Sequence, residues 1–60
     1  MNKIDIYNKG IEIFSTKENF DTWMNSEIRS LGHKKPIDLL NEGKLVEVYD
    51  ELGRIEWGII

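Results

Sequence analysis

Apolar positions along the chain fall into short stripes, broken by polar clusters and by Gly32, Pro36 and Gly43. The stripe nearest the end is the most regular. Leu45, Val48, Tyr49, Leu52, Ile55 and Ile59 recur at three- and four-residue steps, which predicts a helix from about Lys44 to Trp57 with those residues toward the core. At about 100° per residue, Val46, Gly53, Trp57 and Ile60 fall on a flank beside that stripe. This flank is wider than a miniature bundle needs for its own core.

Upstream, Pro36 suits the first position of a short helix, Pro36 to about Asn41, that buries Ile37, Leu39 and Leu40. Gly43 stands where a helix commonly stops, and Gly32 marks the turn before it. Ser15-Thr16-Lys17-Glu18 reads as a capping box, a hydroxyl for the early amides and a glutamate three residues on. The helix it opens carries Phe20, Trp23 and Met24 on one face. It should end near Asn25 to Glu27, with an irregular link through Ile28 and Leu31. The first segment, IDIYNKGIEIF, reads two ways. It gives two alternating strands around Asn-Lys-Gly, or a helix with Ile4, Tyr7, Ile11 and Phe14 on one side. An isolated hairpin is marginal and nothing downstream offers a third strand, which favours the helix. The expected architecture is all-α, a small bundle of about four short helices forming a single domain over residues 1–60.

A chain of 60 residues has one small core, and without cysteines neither disulfides nor thiolate metal sites can reinforce it. Helix packing or a partner protein must supply the rest. Eight Lys/Arg stand against eleven Asp/Glu, for a net charge of −3. Arg29, His33, Lys34 and Lys35 make the only basic cluster, too little for a duplex-DNA reader. No apolar run approaches membrane-spanning length and no signal-peptide pattern opens the chain, so a cytoplasmic protein is expected.

Catalytic chemistry finds little purchase. His33 is the sole histidine, flanked by Lys34 and Lys35, and no serine or cysteine pairs with it at a recognisable spacing. Asp21, Asp38, Asp50 and Glu51 fit solvated helix faces better than an acid/base pair, and Gly32 belongs to no phosphate-binding loop. No catalytic, cofactor-binding or metal-ligating residue is assigned. Trp23 shares a face with Phe20 and Met24 and reads as core. Trp57 does not: it lies off the main stripe, with Arg54 three residues before it and Gly53 one turn back. Tryptophan and arginine are enriched at binding hot spots, and glycine lets another backbone come close. The residues by themselves point to an interaction module.

From Phe14 to Gly58 the chain resembles the toxin-binding domain of the Xre/MbcA/ParS class of antitoxins. The resemblance rests on Phe14, Trp23-Met24, Leu31-Gly32-His33, Lys35-Pro36-Ile37-Asp38-Leu39-Leu40, Gly43 and Leu52-Gly53-Arg54-Ile55-Glu56-Trp57-Gly58, in that order. In the family a helix leads into the phenylalanine with a small residue four positions before it. Gly10 holds that place here, which again favours helix over hairpin. His33 replaces the pattern's second glycine and Lys35 its usual threonine cap, implying a differently shaped loop. The stretch Asn41 to Gly43 is about two residues shorter than common versions, as the family pattern goes.

The resemblance implies a prokaryotic antitoxin module whose partner is a RES-domain toxin, an enzyme that consumes or transfers from NAD. It implies that the C-terminal end blocks entry to the toxin's active site. Arg54, Glu56, Trp57 and Gly58 would carry that contact, with Val46, Gly53, Ile59 and Ile60 beside them. Full-length members usually carry an N-terminal helix-turn-helix domain, and nothing of that size precedes Phe14. Toxin binding is therefore expected, and DNA binding by this domain is not. The alternative is a detached interaction or oligomerisation domain of a helix-turn-helix regulator, with a homo-oligomer as its partner. A small nucleic-acid binder is a third reading, disfavoured by the net charge.

Overall fold

The computed structural model describes residues 1–58. Four helices make up the described chain: α1 (Lys3–Phe14), α2 (Lys17–Met24), α3 (Pro36–Asn41) and α4 (Leu45–Glu56), with a single 3-10 turn at Arg29–Leu31 between α2 and α3. They pack within 25 × 25 × 20 Å. The all-α expectation holds, and the first segment is helix throughout. Its start is fixed by a feature the apolar pattern does not reveal. The Asn2 side chain accepts from the Asp5 amide while Asp5 accepts from the Asn2 amide, both at 3.1 Å, a reciprocal capping box.

The capping box expected at Ser15 to Glu18 does not form. Thr16 is the cap of α2, its Oγ1 accepting from the Asn19 amide at 3.1 Å. The frame is shifted by one because Ser15 adopts φ 73° as the chain turns out of α1. Glu18 then lies at the second helical position, out of reach of the reciprocal bond.

The core is Ile6, Phe20, Met24, Leu39, Leu40, Val48 and Leu52, all buried. An aromatic group closes one side of it. Tyr7 meets Phe20 edge-on at 5.4 Å, Trp23 stacks on Phe20 at 6.1 Å, and Phe14 lies 5.6 Å from Trp23. Trp23 is half-buried in this group, in line with its core reading. Of the face expected for α1, Tyr7, Ile11 and Phe14 pack on the core, but Ile4 does not and the most buried line is shifted. Ile6 and Gly10 are its buried residues and Ile4 is 67% exposed. Gly10 explains the phase, since it is the one place on α1 where the Phe20 ring can press against the backbone.

The 3-10 turn is stitched by Ile28, whose carbonyl accepts from Leu31 and His33 and whose amide donates to the Lys34 carbonyl, each at 3.0 Å. His33 has φ 62°, so at the position where the family pattern has glycine this residue keeps a glycine-like backbone. Pro36 opens α3 as expected. Gly43, at φ 81°, closes it: its amide donates to Leu40 at 3.0 Å and the Lys44 amide to Leu39 at 2.8 Å. That tight reversal sets α4 against α3 and α1.

Candidate protein-binding surface at the end of α4

The expected stripe of α4 holds in its centre. Val48 and Leu52 are fully buried and Leu45 and Tyr49 pack on the core, while Ile55 is half-buried. At its described positions, Val46, Gly53 and Trp57, the flank predicted to stay outside does so. Val46 is 59% exposed and Trp57 78%. Gly53, between them on the same line of the helix, has open space where a side chain would be. Trp57 caps α4, its amide donating to the Gly53 carbonyl at 3.1 Å, and Gly58 turns the chain at φ 68°.

Of the eight residues singled out in the sequence, the six that are described do not all lie in one patch. Gly53, Arg54, Trp57 and Gly58 come together on the last two turns of α4. Val46 lies about 16 Å away along the axis, eleven residues at 1.5 Å each. There it borders a shallow depression with Met1, Gly43, Lys44, Leu45 and Glu47. Met1 is itself an exposed apolar residue that the pattern of the chain did not bring to this surface. Ile59 and Ile60 lie outside the described residues.

Arg54 projects to solvent. Its contact with Glu51, one turn back, is 3.8 Å, an ion pair too long to be a hydrogen bond. The guanidinium is therefore free to take another carboxylate or stack on a partner's ring. Glu56 is held differently. Its Oε1 accepts from Lys9 Nζ of α1 at 2.7 Å, and the same ammonium lies 5.0 Å from the centre of the Tyr49 ring. The hydrogen bond to Glu56 raises the Lys9 pKa above its ordinary value, against a smaller opposing pull from partial desolvation. Lys9 is absent from the sequence-level candidates because its partner is 47 residues away.

His33 is exposed in the loop before α3. Among the described residues no cluster of histidines and carboxylates could hold a metal ion, and no helix is long and apolar enough to cross a membrane. An exposed tryptophan, an exposed arginine and a bare stretch of helix backbone thus stand together at one helix end.

The chain belongs to the family of the antitoxin Xre/MbcA/ParS C-terminal toxin-binding domain, whose family model matches residues 9–58. It is similar to "Antitoxin Xre" of Yersinia enterocolitica serotype O:8 / biotype 1B (strain NCTC 13174 / 8081), 46% identical over 39 residues, which are 63% of this chain and 26% of that relative. The matched stretch thus spans about a quarter of the relative's length. No solved structure matches the chain.

Proposed function

We propose that this chain neutralises a RES-domain, NAD-consuming toxin by seating the end of α4 in the mouth of the toxin's active site. Occlusion needs no catalysis from the antitoxin, only a projecting group that fills the opening. The observation that carries the reading is Trp57, 78% exposed on the last residue capping α4. The other aromatic rings of the chain, Tyr7, Phe14, Phe20, Trp23 and Tyr49, are buried or packed on the core. A tryptophan left out of a core this short of apolar material is best explained by a second protein that covers it. Arg54 and Gly53 complete the surface, one as a charged contact and the other as room for a backbone.

The second reading, a detached interaction or oligomerisation domain of a helix-turn-helix regulator, is favoured by one observation. The matched stretch is only 26% of the Yersinia relative. The two readings separate in a co-expression rescue. A RES-domain toxin is induced in cells with or without this chain. Restored growth that is lost with Trp57→Ala supports occlusion. Growth arrest unrelieved by the intact chain, together with self-association of the purified chain, would favour the regulator fragment instead.

A further inference from the structure

Glu56 is the last residue of α4 and the neighbour of Trp57, yet its carboxylate turns back to α1. Leu52 is the last fully buried residue of the helix, and beyond it, among the described residues, Ile55 is the one apolar side chain that is half-buried. Past Leu52, then, apolar packing alone gives the final turn little hold. Helix ends with few buried contacts fray. The bond from Lys9 supplies what is missing: a charge-assisted link at 2.7 Å between elements 47 residues apart. Lys9 is itself fixed, its side chain 19% exposed and its ammonium over the Tyr49 ring. Glu51 and Arg54 cannot substitute, because both belong to α4 and their contact ties the helix only to itself.

We propose that Lys9 and Glu56 are a positioning pair, fixing the end of α4 on α1 so that Trp57 meets its partner already ordered. The inference rests on the reading of the α4 end as the partner-binding surface. An end ordered in the free chain spares the association step the cost of ordering it, which shows as tighter binding without any added contact. In this account Glu56 acts through Lys9 and does not touch the partner.

Two measurements on the full chain test the pair. In amide hydrogen exchange of the free protein, Lys9→Met keeps an unbranched apolar side chain of similar length and removes the charge. The Trp57 and Gly58 amides, which donate to Gly53 and Ile55, should then exchange about two- to fivefold faster, and those of Val48 and Leu52 should change less. Uniform acceleration along α4 would mean a general stabilising contact and would overturn the proposal. In capture of a purified RES-domain toxin that the intact chain binds, Lys9→Glu and Glu56→Lys should each weaken binding on the order of tenfold. The exchanged pair, Lys9→Glu with Glu56→Lys, should recover to within about threefold of the parent. Loss with Glu56→Lys that the exchange fails to recover would place Glu56 against the partner and refute the positioning role. Trp57→Ala, measured alongside, reports on the surface separately: capture equal to the parent would sink the binding-surface reading, and the proposal with it.

Discussion

A β-carbon added at Gly10 would clash with the edge of the Phe20 ring, which is fully buried beneath α1. The glycine is there for space. Its helical backbone would accept any residue, and alanine would raise helix propensity by about 1 kcal/mol. Overpacking a closed core costs about 1–3 kcal/mol, and here the obstacle is a ring wedged between Tyr7, Phe14 and Trp23. Gly10→Ala should therefore lower stability by about 1 kcal/mol or more in urea melts. Gly10→Ala with Phe20→Leu should recover part of the loss that the two single changes sum to.

Substitutions at the two bare positions of α4 should separate stability from binding. Trp57→Ala removes an exposed side chain and should shift the isolated domain by no more than about 0.5 kcal/mol. It should weaken toxin capture by about 2 kcal/mol or more if the ring is a buried anchor in the complex. Gly53→Leu meets open space in the free chain, so helix propensity should raise its melting temperature. The same side chain would hold a partner's backbone away, and capture should fall. A Gly53→Leu chain that both melts higher and binds as well as the parent would remove Gly53 from the surface.

Thermal melts should also reveal which residue caps α2. Thr16→Ala should cost about 1 kcal/mol, because its hydroxyl is the acceptor for the Asn19 amide. Glu18→Gln should be close to neutral, since no reciprocal bond from Glu18 closes a box here.

His33 holds a left-handed backbone at φ 62° and its side chain is exposed. A β-carbon in that region costs about 1–2 kcal/mol relative to glycine. Part of that gain is offset by the greater freedom of glycine in the unfolded chain. His33→Gly should stabilise the domain by about 0.5–1 kcal/mol. A melting temperature that drops would mean that the histidine ring contributes contacts of its own.

The Lys9 ammonium gives the fold an alkaline limit. Its hydrogen bond to Glu56 raises its pKa above the ordinary 10.5, so the folded chain holds that proton more tightly than the unfolded chain. The stabilisation is fully present below the unfolded value and is lost as pH rises through the raised folded value. Lys9→Met should melt below the parent at neutral pH, and the gap should close as pH is carried beyond 10.5. Taking the difference between the two proteins cancels every contribution they share.

Much of this fold can be read from the chain because proline and glycine punctuate it. Pro36, Gly43 and the regular stripe from Leu45 to Leu52 define α3 and α4 without ambiguity. The phase of α1 is not legible in the same way. Isoleucines at 4, 6, 11 and 13 satisfy helical spacing on more than one face, and the choice is made by Phe20, which needs the gap at Gly10. The cap of α2 slips by one because Ser15 takes a backbone conformation that no spacing rule anticipates. For the surface, the helical wheel alone places Trp57 outside. It cannot bring Met1 beside Val46 or Lys9 onto Glu56, because those contacts depend on how α1 lies along α4.

The bridge between α1 and α4 also gives the fold a long closure. Lys9 and Glu56 are 47 residues apart, with α2 and α3 inside the span that their bond closes. A contact between residues so distant forms late, because the intervening chain must close before the bond can be made. The last turn of α4 would therefore be the last part of the surface to set as the protein folds, after Val48 and Leu52 have already found the core.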